Sequence, residues 1–293
     1  MNKGITFEND KGEKYHIEVD KVNPYLISAG SPKRIEKISK HLDNSKIYEG
    51  SRKLTIVNGE YKNTPITAFT TGMGPASVSI VLPEIIELGK GDLTILRIGT
   101  AGTLQSNIKK GDIVISMGTV RDENTTTALI GKEYPSISNF ELLPIIIHNS
   151  IKQNYKLGEN LWKGIHHVKD DLYFKEFPDS SPSKEKIKQK LESYKRMGVS
   201  ATSMEFSVYT ILRDYYNMKR EGNISVGCLL GIIANPIIEK TSEDINKNFK
   251  SQMEKDLTKI GLNTLNTVYN IKNNKEINIK WEKIIKQLLN YQK

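Results

Sequence analysis

The sequence predicts an α/β fold, and two features of the 293-residue chain carry that prediction. Short apolar runs bounded by glycine or proline alternate with amphipathic stretches of helical length. One late run, "ISVGCLLGIIAN" (224–235), is apolar nearly throughout, as expected for a strand covered on both faces. We find no repeat and no clear linker, so we expect one domain over residues 1–270, with an amphipathic helical tail over 271–293 packed on or beside it.

The first third of the chain predicts strands separated by turns and short helices. "PYLISAG" (24–30) predicts a strand, and "PKRIEKISKHL" (32–42) predicts the helix after it, with proline in the first turn. "KLTIVNGEYKNTPITAFTT" predicts a hairpin that turns at Asn58-Gly59. "GMGPASVSIVLPEIIELG" predicts a glycine loop leading into a helix that Pro83 kinks or shortens.

The later elements follow the same alternation. Strands are predicted at 93–100, 112–120 and 163–169, helices at 142–155 and 181–198, and a short strand running into a long helix at 199–220. The tail, "INIKWEKIIKQLLNYQK" (277–293), places its apolar side chains on one helical face. Those side chains are Trp281, Ile284, Ile285, Leu288 and Leu289.

Composition disfavours several classes of protein. The net charge of +9 comes from lysines scattered along the chain, without an arginine-rich stripe, so we expect no nucleic-acid partner. A single cysteine, Cys228, excludes an intramolecular disulfide and a cysteine-based zinc site. The adjacent His166 and His167 lack the spacing of a metal site, so we expect no metal. The opening residues are polar, so we expect a cytoplasmic protein without a membrane partner.

Three arginines point to an anion. Arg34 follows "AGSP", Arg52 follows "EGS", and Arg97 ends the apolar run "LTILR" before "IGTAG". Arginine holds an oxyanion in a bidentate fork and stays charged when buried, and a glycine loop between strand and helix adds oriented N–H donors. Each arginine alone would be interpreted as a surface ion-pair former. Together, beside glycine or serine, they favour an oxyanion site.

A second cluster of candidate residues lies in "SMEF" (203–206). Glu205 stands where a strand passes into a helix, so its carboxylate could accept both hydroxyls of a ribose, and Met204 could line the apolar sugar face. A glutamate in the first turn of a helix is also favoured by the helix dipole alone. Spacing does not separate these two interpretations.

Taken together, "SAGSPKRIEKI", "TTGMGPASVSI", "LRIGTAGTLQ" and "SMEFS" resemble, in order and spacing, the motifs of the nucleoside phosphorylase-I family, and most closely its uridine-type members. The resemblance runs from about His16 to Asn235. It implies a three-layer α/β/α sandwich around a mixed, partly barrel-like central sheet. It also implies reversible phosphorolysis, in which a nucleoside and inorganic phosphate give free base and ribose 1-phosphate. Phosphate is then a co-substrate, and no cofactor is expected.

The same resemblance implies roles for individual residues. Phosphate would be bound by Gly30, Arg34, Arg97, Thr100 and a partner subunit's copy of Arg52. Ribose would be bound by Met204, Glu205 and a partner's copy of His16. Arg97, Glu205 and Arg34 would be catalytic. Because two residues are lent across an interface, the resemblance implies a homodimer or a trimer of dimers.

The base site departs from the family pattern. Uridine-type members read uracil with a glutamine and an arginine two residues apart, whereas "DDLYFKEFPDSS" (170–181) places Glu176 and Pro178 near those positions and keeps the aromatic Tyr173. Either Lys175 or Lys184 takes over the missing donor, or the base differs. The strand "GIIAN" supplies Ile233 and Asn235, and asparagine matches uridine-type rather than typical purine enzymes.

These residues leave three functional hypotheses. The leading one is a uridine-type phosphorylase. The second is a phosphorylase of purine or methylthio-nucleosides, because the Gln/Arg pair is missing. The third is a nucleoside-binding protein that has lost turnover. In bacterial uridine-type members of the family that this chain resembles, a glutamate directly after the interface arginine holds a monovalent cation between subunits. Lys53 stands at that position here, so we expect its ammonium in place of the cation.

Overall fold

The computed structural model describes residues 16–235, 247–275, 277, 279 and 281–291. The strands are β1 (Tyr25–Ala29), β2 (Asp43–Glu49), β3 (Thr55–Tyr61), β4 (Thr64–Thr70), β5 (Leu93–Gly102), β6 (Ile113–Asp122), β7 (Ser136–Ile137), β8 (Leu161–Lys169), β9 (Ala201–Ser203) and β10 (Ile224–Ala234). The helices are α1 (Pro32–Ser39), α2 (Gly74–Leu88), α3 (Leu142–Ile151), α4 (Tyr173–Glu176), α5 (Lys184–Arg196), α6 (Phe206–Asn217), α7 (Lys247–Lys272) and α8 (Trp281–Leu289).

One mixed sheet runs through the molecule in the order β10-β6-β8-β9-β5-β1-β4-β3-β2, and β7 pairs with β6. An additional pairing of β10 with β5 closes five strands, β5, β10, β6, β8 and β9, into a barrel. Parallel pairs such as β1 with β5 occur beside antiparallel pairs such as β3 with β4. The predicted α/β architecture with a mixed, partly barrel-like sheet is confirmed.

Two hydrophobic cores lie on opposite faces of the sheet and make the outer layers. One core packs α2 and α6 through side chains such as Val78 and Phe206. The other packs α1, α3, α7 and α8 through side chains such as Ile35, Leu257 and Ile284. Burial of these apolar side chains, at roughly 25 cal/mol per Å², is the main stabilising contribution that holds the helices on the sheet.

The hairpin turn lies at Lys62-Asn63 rather than at the predicted Asn58-Gly59. Lys62 and Asn63 have φ values of 51° and 63°, the left-handed conformation that a two-residue turn of this kind requires at both positions. Gly59 lies inside β3, where a Cβ would come within 3.0 Å of the Asp43 carbonyl oxygen. The glycine therefore serves the close approach of β2, an exposed strand that the sequence pattern did not reveal.

Two further predictions differ from the structure in detail. The helix expected to be kinked or shortened at Pro83 continues to Leu88 as α2, with Pro83 buried inside it. In the C-terminal helix α8, Ile284 is buried, whereas Ile285 and Leu289 on the same predicted face are exposed. None of the helices in the described part of the chain is long and apolar enough to cross a membrane.

Candidate active site

A cavity of about 550 Å³ opens where the carboxyl ends of β1, β5, β8 and β10 come together. Ligand sites in α/β sheets commonly lie at such edges. Most of the residues predicted to bind phosphate, ribose and base line this cavity: Gly30, Arg34, Arg97, Thr100, Glu176, Met204, Glu205 and Ile233. Residues far apart in the sequence are therefore brought to one site by the topology of the sheet.

Arg97 lies inside β5 rather than at its end, paired in register with Ser28 of β1 and Cys228 of β10. It is only 3% exposed, and its Nη2 donates a hydrogen bond to Glu205 Oε2 in a buried ion pair. A Cβ at Gly99 would lie 3.3 Å from Nη2, so the glycine gives the guanidinium room to turn along its own strand. Burial alone would lower the pKa of Arg97, but the Glu205 carboxylate raises it above its usual value. Arg97 is therefore a permanent buried cation.

Glu205 is the N-cap residue of α6, and its buried carboxylate is held from three sides. Besides the ion pair with Arg97, Oε1 accepts a hydrogen bond from the Gly74 backbone N–H (3.2 Å) and Oε2 accepts one from the Met204 N–H (3.3 Å). Gly74 has a φ of +83°, which favours glycine at that position. Strand β5 and the N-terminal ends of α2 and α6 thus converge on one fixed carboxylate at the cavity wall.

Arg34, on α1, is held from behind by α7. Its Nη2 donates to Glu254 Oε1 at 2.9 Å, and Lys37 Nζ donates to the other oxygen of the same carboxylate at 2.9 Å. Burial would raise the pKa of Glu254, but the hydrogen bonds from Arg34 and Lys37 lower it below its usual range. Glu254 is therefore an ionised anchor that fixes one edge of the Arg34 guanidinium.

Both arginines have buried N–H groups that the protein does not use. Among the described residues, no atom accepts a hydrogen bond from Arg34 Nε or from Arg97 Nε and Nη1. A buried charged donor without a partner is costly, so such groups mark the position of an anion. Gly30 lies beside them, where a Cβ would come within 2.9 Å of the Gly72 carbonyl oxygen. The arginine end of the cavity is therefore suited to an oxyanion.

The other end of the cavity holds a buried lysine that the sequence analysis missed. Lys169, the last residue of β8, is 1% exposed, and its Nζ donates hydrogen bonds to Glu176 Oε2 and Thr202 Oγ1. A Cβ at Gly102 would overlap Glu176 Oε1, so the glycine makes room for this carboxylate. The signal was present, because Lys169 ends the predicted strand at 163–169, just as Arg97 ends the apolar run "LTILR" in the sequence.

The two lysines considered from the sequence lie elsewhere. Lys175 Nζ donates to the Asp122 carbonyl oxygen (2.7 Å) and to Asp170 Oδ1 (2.6 Å), and Lys184 begins the exposed face of α5. Neither lines the cavity. Lys169 does line it, and it directly precedes the irregular stretch (170–181) rather than lying within it.

Four predicted site residues do not line the cavity of their own chain: His16, Arg52, Tyr173 and Asn235. Tyr173 is 72% exposed on α4, and Asn235 Nδ2 donates to the Gln105 carbonyl oxygen at 3.0 Å. His16 Nδ1 hydrogen-bonds to the buried Glu84 carboxylate at 2.7 Å. Arg52 is exposed, with a φ of 57°.

His16 and Arg52 lie on one surface of the molecule. The chain at Gly50 runs so close to the His16 backbone that a Cβ at Gly50 would overlap the His16 carbonyl oxygen, and Arg52 follows two residues later. Besides its contact with His16 Nδ1, the Glu84 carboxylate accepts hydrogen bonds from the backbone N–H groups of His16 and Ile17, which hold this segment against α2. The structure thus places together the two side chains predicted to serve a neighbouring subunit.

Across the described residues, no group of three or more His, Cys, Asp or Glu side chains has an arrangement that could hold a metal ion. The cavity lining itself offers fixed charges and hydrogen-bonding groups. Two cations with unused donors lie at one end, a fixed carboxylate lies between, and a lysine–glutamate pair lies at the other end.

Comparison with known proteins gives consistent results. A family model described as the phosphorylase superfamily matches residues 24–266. The chain is 26% identical over 226 residues to uridine phosphorylase of Treponema pallidum, covering 76% of this chain and 82% of that protein. It is 31% identical over 131 residues to guanosine phosphorylase of Halorubrum lacusprofundi, covering 45% and 54% respectively. The crystal structure of uridine phosphorylase from Vibrio fischeri ES114 superimposes with a TM-score of 0.72 at 26% identity, covering 88% of this chain and all of that one.

Proposed function

The chain belongs to the phosphorylase superfamily, and from that premise we propose that it is a nucleoside phosphorylase that cleaves uridine with inorganic phosphate. The observation that carries the proposal is the pair of buried guanidiniums, Arg34 and Arg97, which line the same cavity as the fixed Glu205 carboxylate and keep N–H groups without an acceptor among the described residues. Hydrolysis by water would not need two buried cations. A phosphate nucleophile does, because its charge must be balanced and its oxygens oriented.

In the proposed reaction, phosphate lies at the arginine end with Gly30 and Thr100, and ribose lies against Met204 and Glu205. The glycosidic C1′–N bond breaks, and its electron pair leaves with the base. A phosphate oxygen then forms the new bond to C1′, giving ribose 1-phosphate. Positive charge develops on the ribose in between, so a phosphate held beneath C1′ is both nucleophile and counter-charge.

Glu205 supports ribose binding because Arg97 and the Gly74 N–H fix its orientation before substrate arrives. A carboxylate accepts hydrogen bonds only, which suits two adjacent sugar hydroxyls. The same Arg97 that orients Glu205 lines the cavity and keeps Nε and Nη1 without an acceptor among the described residues. We propose that this shared arginine sets the distance between the ribose hydroxyls and the phosphate.

The base would bind at the pair formed by Lys169 and Glu176. The ammonium donates to a carbonyl oxygen of the base, and the carboxylate accepts from a neighbouring ring N–H. As the base leaves with negative charge, the attraction to Lys169 strengthens in the transition state, which is how a fixed cation lowers a barrier. Ile233 lies on the same part of the wall. We propose that this pair replaces the glutamine and arginine of uridine-type relatives.

The second candidate substrate class is the 6-oxopurine nucleosides. Guanine and hypoxanthine also present a ring N–H beside a carbonyl, so the lysine–glutamate pair suits them as well. The similarity to a guanosine phosphorylase supports including them. Asn235, with its amide on the Gln105 carbonyl, supplies no acid for the base, which favours uridine.

We propose self-association, in which His16 and Arg52 of one subunit complete the cavity of its neighbour. Their shared surface, outside their own cavity, supports this assignment. Mixing the variants Arg52→Ala and Glu205→Gln tests it, because a mixed dimer contains one site with both residues intact. Recovered activity on mixing is expected, and no recovery from two variants that form mixed dimers would contradict it.

The proposed function is tested by assaying uridine, inosine, guanosine, adenosine and methylthioadenosine with and without phosphate. Uridine cleavage that requires phosphate is expected, with Glu205→Gln strongly impaired and Arg196→Lys, an exposed pair with Glu192, as the matched control. Cleavage of uridine at the same rate without phosphate would contradict phosphorolysis. Thermal stabilisation by uridine with no turnover of any nucleoside would instead identify a binding protein.

A further inference from the structure

A chain of buried polar contacts leads from the base end of the cavity to the protein surface. Lys169 Nζ donates to Thr202 Oγ1, which lies 3.4 Å from His167 Nδ1. His167 Nε2 lies 2.9 Å from Asp122 Oδ2, and Lys190 on α5 donates to Asp122 Oδ1. All but Lys190 are buried. Burial of so many polar groups is costly, and the substrate chemistry assigned above uses only the first of them.

The direction of these hydrogen bonds follows from the charge on Asp122. Burial alone would raise the pKa of Asp122, but the hydrogen bonds from His167 and Lys190 lower it well below its usual range. An ionised carboxylate only accepts, so His167 carries its proton on Nε2 and its Nδ1 is an acceptor. The imidazole Nδ1 can then accept a hydrogen bond from the Thr202 hydroxyl. Because Nδ1 carries no proton, it does not compete with Lys169 as a donor to the oxygen of that hydroxyl.

Thr202 links the imidazole to Lys169. Its hydroxyl proton has two acceptors at 3.4 Å, His167 Nδ1 and Glu176 Oε2, and its oxygen receives a proton of Lys169. An ammonium has three N–H donors. With two directed to Thr202 and Glu176, the third can point into the cavity. The contacts behind Lys169 therefore decide where its remaining donor points.

We propose that Asp122, His167 and Thr202 are positioning residues that hold the Lys169 ammonium in the orientation needed by the departing base. The inference rests on the proposed function, because it assigns the base to Lys169. His167 acts through Thr202, and Asp122 acts by fixing the tautomer of His167.

The neighbouring His166 provides a matched control. It is also buried on β8, and its Nδ1 lies 2.8 Å from Ser116 Oγ, outside the chain of contacts to Lys169. The variants His167→Gln and His166→Gln remove the same ring from the same strand. A purely structural role for His167 predicts similar losses from both, whereas a positioning role predicts a loss of nucleoside turnover from His167→Gln alone.

A pH profile gives a second readout. Burial lowers the pKa of His167, opposed by its hydrogen bond to Asp122 and assisted by the Lys169 ammonium. The charged and titratable groups around His167 are Asp122 of β6, Lys169 of β8, Lys175 and Glu176 of α4, and Lys186, Lys190 and Tyr194 of α5. Protonation places a proton on Nδ1 and removes the acceptor for Thr202. Activity should therefore fall on the acid side of the ordinary histidine pKa of about 6.5.

In Asp122→Asn the fixed anion is lost. The pKa of His167 should fall further, so the acid limb of the profile should move to lower pH. The plateau of activity should also fall, because the amide no longer forces the proton onto Nε2. A profile that keeps both its plateau and its acid limb in Asp122→Asn would overturn the role given to Asp122.

The deciding experiment measures kcat/KM for uridine and KM for phosphate in the whole protein and in His167→Gln, His166→Gln, Thr202→Val and Thr202→Ser. We expect His167→Gln and Thr202→Val to lower kcat/KM for uridine about ten-fold, the effect of one lost charge-assisted hydrogen bond, with phosphate KM nearly unchanged. Thr202→Ser, which keeps the hydroxyl, should retain most of the activity.

Two results would overturn the inference while the proposed function stands. One is equal activity of His167→Gln and His166→Gln in proteins that melt at similar temperatures. The other is a Thr202→Ser variant as impaired as Thr202→Val. If the unaltered protein cleaves no nucleoside with phosphate, the proposed function fails and the inference fails with it. A third result, loss of uridine turnover in Lys169→Met without loss in His167→Gln, would refute only the positioning role of His167.

Discussion

The two ends of the cavity are built in different ways. At the arginine end, Arg97 and Arg34 each donate to one carboxylate and keep N–H groups without an acceptor among the described residues. At the other end, Lys169 Nζ donates a hydrogen bond to the Glu176 carboxylate in a buried ion pair. The arginine end keeps donors without an acceptor, and at the other end the Lys169 ammonium, bonded to Glu176 and Thr202, has one donor left for a ligand. Substitutions should therefore affect the two ends in separable ways.

The largest expected effect is at Arg97. Arg97→Lys keeps a cation but loses the planar fork that holds Glu205 and phosphate together, so kcat/KM should fall roughly 10³-fold. Steady-state kinetics with both substrates varied measures this loss. Arg196→Lys, on the exposed face of α5, should have no effect. Retention of activity within ten-fold in Arg97→Lys would contradict the shared role of this arginine.

At the base end, Lys169→Met should lower kcat/KM for uridine about 10²-fold, because the leaving base loses its stabilising cation. Phosphate KM should change little, since Arg34 and Arg97 remain. Measuring the two constants separately distinguishes the ends of the cavity. Equal loss of both would mean that the ends are not independent.

The same substitution also tests the energetics of the buried pair. Lys169→Met leaves the buried Glu176 carboxylate without its cation, which should lower the free energy of unfolding by about 3–5 kcal/mol. The double variant Lys169→Met/Glu176→Gln should recover much of that stability without recovering turnover. Chemical denaturation and kinetics on the same samples measure both. Recovery of activity by the double variant would show that charge at this end is dispensable.

A smaller effect is expected behind Arg34. Glu254→Gln weakens the anchor on Nη2, so KM for phosphate should rise roughly three- to ten-fold with kcat/KM for uridine at saturating phosphate nearly unchanged. A fall in phosphate KM would show that Glu254 competes with phosphate for Arg34 rather than orienting it.

The smallest effect concerns stability against pH. The folded pKa of Glu254 lies below its usual value because of the hydrogen bonds from Arg34 and Lys37, despite burial. Its contribution is thus present above the ordinary glutamate pKa of about 4.3 and is lost as the pH falls through the folded pKa. The unfolding free energies of the unaltered protein and Glu254→Gln should converge on acidification. A difference that stays constant down to the acid transition would contradict the ion pair.

The clustering of the residues at the arginine end could be predicted from sequence, because these residues stand beside glycines at neighbouring strands. The base end could not, because Lys169 and Glu176 are joined by a loop and the short helix α4, and their contact depends on how that segment folds back over Gly102. Lys169 was overlooked although it ends a buried strand as a cation, the same reasoning that selected Arg97.

The prediction of β10 agrees best with the structure, because its apolar run spans the whole strand. The hairpin turn was misplaced because Asn58-Gly59 is a strong local signal, while the actual turn at Lys62-Asn63 contains no glycine. The register of the β3–β4 hairpin is set by the pairing of β3 with both β2 and β4, and a local turn preference does not take that pairing into account.

We propose that phosphate bound at Arg34 and Arg97 attacks the ribose of a nucleoside whose base lies at Lys169. Phosphorus NMR of the protein with uridine and inorganic phosphate tests it most directly. We expect a new phosphate monoester signal, that of ribose 1-phosphate, which increases at the same rate as uracil is released. Uracil released without any monoester would show that water, not phosphate, is the nucleophile and would contradict the account.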